Sequence, residues 1–148
     1  MNIRYAQRKD AKQLAQHNVL LAKESENNII SYETTLQAVL TVLDDKNKGF
    51  ILVAEENLKI IGQLMITYEW SDWSNKEIWW IQSVYVDKHY RKKGIFTALF
   101  NEIKKIAYEK NIDVIRLYVQ SSNQQAIDTY SKLGMKQKTY IIYETTTT

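Results

Sequence analysis

EIWWIQSVYV, DKHYRKKGIFT and ALFNEIKKIAYEK, consecutive over residues 77–110, decide the fold. Ile78, Trp79, Trp80, Ile81, Val84, Tyr85 and Val86 are mostly β-branched or aromatic, the composition a strand prefers. Asp87 to Lys93 is polar and charged. From Gly94 onward Ile95, Leu99, Ile103 and Ile106 recur at helical spacing, with Glu102, Lys104 and Lys105 on other faces. The first amide N–H groups of such a helix lack intrahelical partners, and its dipole favours negative charge there. Arg91, Lys92 and Lys93 add positive charge at the same end. The turn from Arg91 to Thr97 is therefore a candidate pyrophosphate site. Its bland alternative is a solvated charged loop.

Working outward, Asn2 to Ala6 is a strand candidate. A helix follows from an N-cap at Asp10 to about Lys23, with Leu14, Val19, Leu21 and Ala22 on its apolar side. Glu24 to Ile30 reads as a loop. Ser31 caps a second helix whose stripe is Leu36, Val39, Leu40 and Leu43. Phe50–Glu55 and Lys59–Glu69 form an antiparallel hairpin, and Gly62 inside it signals a bulge or a close backbone approach. Ile112–Val119 is a further strand. Gln124–Leu133 is a short helix stopped by Gly134, and Lys136–Glu144 is a last strand. The whole predicts one α/β domain over residues 1–148. Its mixed sheet of six to seven strands is flanked by helices on both faces, and a ligand lies at the C-terminal ends of the parallel strands.

Composition narrows the chemistry. With 45% hydrophobic and 25% charged residues the chain is ordinary for a globular protein. It has no Cys, which excludes disulfides, thiolate metal sites and a cysteine nucleophile. His17 and His89 are the only histidines, so no metal is expected. No apolar run suits a membrane, and MNIRYAQRKDAK is too charged for a signal peptide, so the cytoplasm is the expected location. The net charge of +3 is uneven: residues 87–138 hold 11 Lys and Arg against 5 Asp and Glu. Nucleic-acid binding is the competing account of that basic half, but no recognition helix or aromatic-interleaved basic groove is visible.

Two motifs carry a resemblance. Arg91-Lys92-Lys93-Gly94-Ile95-Phe96 resembles the acetyl-CoA motif of the GCN5-related N-acetyltransferases: Gln or Arg, two residues, Gly, one residue, then Gly or Ala. Phe96 departs from the small last residue. Downstream, the stretch from Asn123 through Ala126, Tyr130 and Gly134 to Met135 resembles the family's Asn-x-x-Ala-x-x-x-Tyr-x-x-x-Gly-Phe pattern. Residues 67–94 are also similar to the corresponding region of polyamine (spermidine/spermine) acetyltransferases. The acidic pair of those enzymes is here Gln82-Ser83.

The resemblance implies the acyl-CoA N-acyltransferase fold and an acetyl-CoA-dependent enzyme. It implies transfer of an acetyl group to a primary amine, by direct attack in a ternary complex. The backbone of Val84, Tyr85 and Val86 would pair with the pantetheine arm. The amides of Lys92 to Thr97 and the Thr97 hydroxyl would hold the pyrophosphate, with Arg91, Lys92 and Lys93 supplying charge. Asn123 and Ala126 would approach the pantetheine; Asn123 is otherwise an N-cap. Tyr130 would protonate the leaving thiolate; its alternative is a core tyrosine.

For the base, Glu69 ranks ahead of Asp72, Glu24, Glu26 and Glu33. Tryptophans beside Glu69 could hold an ammonium group by cation–π contact. The expected acceptor is a small cationic molecule such as a polyamine or amino compound, with a protein or peptide amine as the alternative. No nucleic acid or membrane partner is expected. Dimers are frequent in this family, though the sequence shows no interface signature. A non-catalytic acyl-CoA sensor is the other class of function, motivated by Gln82-Ser83.

Overall fold

A computed structural model describes residues 1–148. The elements are β1 (Asn2–Tyr5), α1 (Ala11–Glu26), α2 (Tyr32–Asp44), β2 (Gly49–Glu56), β3 (Lys59–Ser71), β4 (Lys76–Val86), α3 (Ile95–Glu109), β5 (Ile115–Arg116) and α4 (Gln124–Lys132). Residues 1–118 and 119–148 form two compact units.

In the first unit five strands form one mixed sheet in chain order, antiparallel from β1 to β4 and parallel between β4 and β5. Adjacent residues on a strand point to opposite faces. At Gly62 and Gln63 this assigns the layers. A Cβ on Gly62 would meet Ile95 Cγ2 of α3 at 2.6 Å. Gln63 Nε2 donates to the Leu14 carbonyl of α1 at 3.1 Å. Thus α1 and α3 cover opposite faces. On the α1 face Ala11, Leu14 and Ala15 pack with Val39, Ile51, Val53 and Ile60, and Leu36, Leu40 and Leu43 of α2 join them. Ile95, Leu99, Ile103 and Ile106 are the buried stripe of α3, as their spacing predicts.

Gly62 fulfils both of its expectations. The β2–β3 register slips beside it, between Ala54 and Glu55, and the first turn of α3 lies against its bare backbone.

Several boundaries differ from the sequence reading. Asp10 precedes α1 but does not cap it. Its carboxylate accepts from Arg4 at 2.8 and 2.9 Å and from the Gln7 amide at 2.7 Å. α1 continues past Lys23 to Glu26, where Asn27 takes the left-handed conformation (φ 50°) that Asn tolerates. Ser31 does cap α2, its hydroxyl accepting from Thr34 N–H at 3.2 Å.

The sheet has five strands, not six or seven. β5 pairs only at Ile115 and Arg116 instead of along Ile112–Val119. Beyond Trp80 the neighbouring strand itself changes, since Ser83 (φ 51°) interrupts the register of β4 with β3 and a bulged strand bends.

In the second unit α4 ends as expected. Gly134 (φ 90°) donates to the Ser131 carbonyl, and Met135 N–H reaches back to the Tyr130 carbonyl at 3.1 Å. Residues 136–144 form no strand. Ile141, Ile142 and Tyr143 are 70–88% exposed, so their β-forming side chains have no face to bury against, and propensity alone does not make a strand. No helix is long and apolar enough to cross a membrane.

Candidate functional site

β4 carries the candidate site and changes character along its length. From Trp79 to Trp80 it pairs with β3 on one side and β5 on the other. From Ile81 to Val86 its only ladder partner is β3, and Ser83 and Val84 fall in the register interruption. Val84, Tyr85 and Val86 therefore sit where β4 has left its parallel neighbour. The Tyr85 side chain is 5% exposed and faces α1, its ring 4.8 Å from that of His17. Burial pushes its hydroxyl above the usual tyrosine value.

The basic turn begins at the end of that strand. Asp87 Oδ1 accepts from His89 N–H at 2.9 Å, closing a short 3-10 turn over Lys88–Tyr90. Lys92 (φ 62°) and Gly94 (φ 79°) are both left-handed, and two such residues fold the chain tightly into α3. The first bond of the α3 ladder runs from Ala98 N–H to the Gly94 carbonyl at 3.0 Å. The amides ahead of Ala98 precede the ladder and have no intrahelical acceptor. Thr97 is exposed beside them. Phe96, the departure from the family pattern, lays its ring 5.9 Å from Phe100 one turn on. Lys93 and Lys59 place their ammonium groups 5.5 and 5.7 Å from the Tyr90 ring. Val84–Val86 and Arg91–Thr97 are thus brought to one end of the first unit.

Glu69 lies elsewhere on β3, opposite Ile78. Its Oε1 accepts from Trp80 Nε1 at 2.8 Å, and Oε2 lies 3.5 Å from Arg116. Trp80 is therefore the indole against this carboxylate. Trp70 and Trp73 stand out at the hairpin end, 61% and 93% exposed, and Trp79 packs among Phe50 and Tyr68. Gln82 Nε2 donates to Thr67 Oγ1 at 3.3 Å. Glu24, another candidate base, is held by Arg91 at 2.6 Å.

In the second unit Asn123 caps α4, accepting from Ala126 N–H at 3.2 Å. The Tyr130 hydroxyl is pushed above the usual tyrosine value by burial. No three His, Asp or Glu side chains are grouped to hold a metal ion.

Sequence reasoning missed a buried polar cluster behind Tyr85. His17 Nδ1 and Gln63 Oε1 lie 2.7 Å apart. Because the Gln63 amide nitrogen already donates to Leu14 and Asn18, its oxygen is the acceptor, and Nδ1 carries the proton. Burial holds the imidazole pKa below its usual value, opposed by the Gln63 bond. A signal was present: Gln63 is the one polar side chain within IIGQLMI, and His17 follows Leu14 by three on the apolar face of α1.

Comparison with known proteins agrees with the fold. The sequence model of the Acetyltransferase (GNAT) family matches residues 12–135. A possible acetyltransferase from Clostridium difficile 630 superposes with a TM-score of 0.93 at 43% identity, covering 99% of this chain and 97% of that one. A predicted acetyltransferase from Clostridium acetobutylicum, solved with acetyl-CoA, gives 0.80 at 24% identity over 97% and 95% of the two chains. A thialysine N-epsilon-acetyltransferase of Bos taurus is 28% identical over 80 residues, 54% of this chain and 46% of that protein. The chain spans less than half the length of curated relatives such as this one, 40–46%.

Proposed function

The chain belongs to the acetyltransferase (GNAT) family, and from that premise we propose that it transfers an acetyl group from acetyl-CoA to a primary amine. The observation that carries the proposal is the meeting of the bulged end of β4 with the open N-terminus of α3. One offers strand backbone released from its neighbour, as an extended pantetheine arm requires. The other offers amides without intrahelical acceptors, flanked by lysines, as a pyrophosphate requires.

In this reading the backbone of Val84, Tyr85 and Val86 binds the pantetheine, and one of its N–H groups polarises the thioester carbonyl. The turn from Lys92 to Thr97 holds the phosphates. Asn123 and Ala126 approach the arm. Residues 1–148 are read as one N-acetyltransferase domain. Tyr130 donates a proton to the departing thiolate; burial keeps its hydroxyl protonated, as an acid needs. Glu69 is the carboxylate offered to the amine. Trp80 fixes one of its oxygens, while Arg116 at 3.5 Å holds the other loosely enough to yield to an ammonium group. Since Glu69 stands opposite Ile78, well up the strand from Val84, its proton arrives through water. A small cationic amine, such as a polyamine or amino compound, suits this face. With no Cys in the chain, attack is direct in a ternary complex. The pairing of Glu69 with Arg116 also favours a second reading, a CoA-binding sensor without turnover.

Calorimetry with acetyl-CoA, then thiol release against a panel of amines, polyamines and peptides, tests the proposal. Binding with release for one amine class supports it. Tyr130→Phe then lowers kcat about 100-fold while leaving acetyl-CoA affinity unchanged. Binding without release on any amine supports the sensor, and no binding removes both.

A further inference from the structure

On the reading that the turn at residues 91–97 receives acetyl-CoA, we propose that Arg91 is a positioning residue that ties this turn to α1 through Glu24, and is not itself a phosphate ligand.

The guanidinium is already committed on three sides. Its Nε donates to the Val86 carbonyl at 2.9 Å. Its outer nitrogen donates to Glu24 Oε2 at 2.6 Å. Its carbon stands 5.4 Å from the centroid of the Tyr85 ring. The neighbouring cations differ: Lys92 and Lys93 form no ion pair, so their charge stays available to an anion, whereas Glu24 neutralises Arg91.

Glu24 and His17 are two turns apart on α1. His17 meets Tyr85, and Glu24 meets Arg91, so α1 grips the end of β4 at two points. The arginine thereby fixes the last carbonyl of β4, the start of the basic turn and the last turn of α1 relative to one another. A planar fork makes the Val86 and Glu24 bonds together; a lysine is a single point charge and cannot.

This assignment makes an unusual demand: removing an acidic residue weakens binding of an anion. The ion pair is exposed, 43% for Arg91 and 39% for Glu24, so its loss changes folding stability little, and the variants remain folded. Calorimetry with acetyl-CoA compares Glu24→Gln, Arg91→Gln, Arg91→Lys and the double variant Glu24→Gln/Arg91→Gln. The strut predicts that Glu24→Gln weakens binding about threefold to fivefold, within the range of an exposed pair. It also predicts that Arg91→Lys is no better than Arg91→Gln and that the double variant is no weaker than Arg91→Gln alone. Unchanged or tighter binding in Glu24→Gln, or full rescue by Arg91→Lys, overturns the proposal; tighter binding together with that rescue makes Arg91 a phosphate ligand. Amide exchange of residues 86–94 without ligand reads the strut by itself. Faster exchange in Glu24→Gln supports it and unchanged exchange overturns it, even if the wild-type protein binds no acetyl-CoA and the functional reading falls.

Discussion

The two ends of β4 differ in what they offer. At Trp79 and Trp80 the strand has partners on both sides, and what it offers is side chains: Trp79 is packed among Phe50 and Tyr68, while Trp80 holds Glu69. At Val84 to Val86 it has one partner, and what it offers is backbone. On the proposed reading the closed end meets an acceptor through side-chain chemistry, which substitution changes easily. On the same reading the open end meets the cofactor through backbone geometry, which a bulge and two left-handed residues set.

Gly62 stands across from Val86 in the β3–β4 ladder, and α3 lies directly on it. In Gly62→Val the added carbons enter the space of Ile95 and Leu99, both buried, and force α3 off the sheet. We expect a loss of about 2–3 kcal/mol in urea unfolding. A neutral result would show that the open end does not depend on this close approach. Gly94→Val tests the turn next. Its Cβ meets nothing within 4 Å, so the effect is conformational: φ of 79° costs a β-branched residue about 1–2 kcal/mol. Acetyl-CoA affinity should fall about tenfold by calorimetry, with the acceptor KM unchanged.

The closed end should show the opposite pattern. Glu69→Gln keeps an oxygen for Trp80 Nε1 but removes the charge. With the proposed base removed, kcat for a cationic acceptor should fall about 100-fold in the thiol-release assay, while acetyl-CoA affinity stays the same. If both constants move together, the two ends are one site and the division fails.

The same division explains what was legible in the sequence. Backbone features announce themselves: Gly62 marked a close approach that leaves no room for a side chain, while Gly94 opened α3 and Gly134 closed α4 in conformations that few residues tolerate. The order of helices and strands through β4 and α3 followed from periodicity. Side-chain partnerships are non-local and left no such mark. Nothing in the sequence joins Arg91 to Glu24, 67 positions away, or Arg116 to Glu69. Strand length was overestimated for the same reason. Ile112–Val119 and residues 136–144 have strand composition, but pairing depends on where a neighbour ends, and β4 bends away at Ser83.

Acid should separate the two ends further. His17 supports the open end from behind through Tyr85 and Gln63, with Asp87 and Lys59 as the nearby charges. Burial lowers its folded-state pKa below the usual 6.5, so between the two values the unfolded chain binds more protons. Stability from this group is therefore complete above pH 6.5 and is lost as pH falls through that window. Asp10 behaves likewise further down, because Arg4 holds its carboxyl below the usual 3.8. Amide exchange, corrected for its intrinsic pH dependence, should thus accelerate at residues 83–87 before residues 76–81 as pH falls from 7 to 5. His17→Gln should remove the difference in pH response between the two stretches, since glutamine can bond Gln63 without titrating. Equal acceleration along all of β4 in the wild type would mean that α1 supports the strand as a whole, and that its open end is no looser than its closed one.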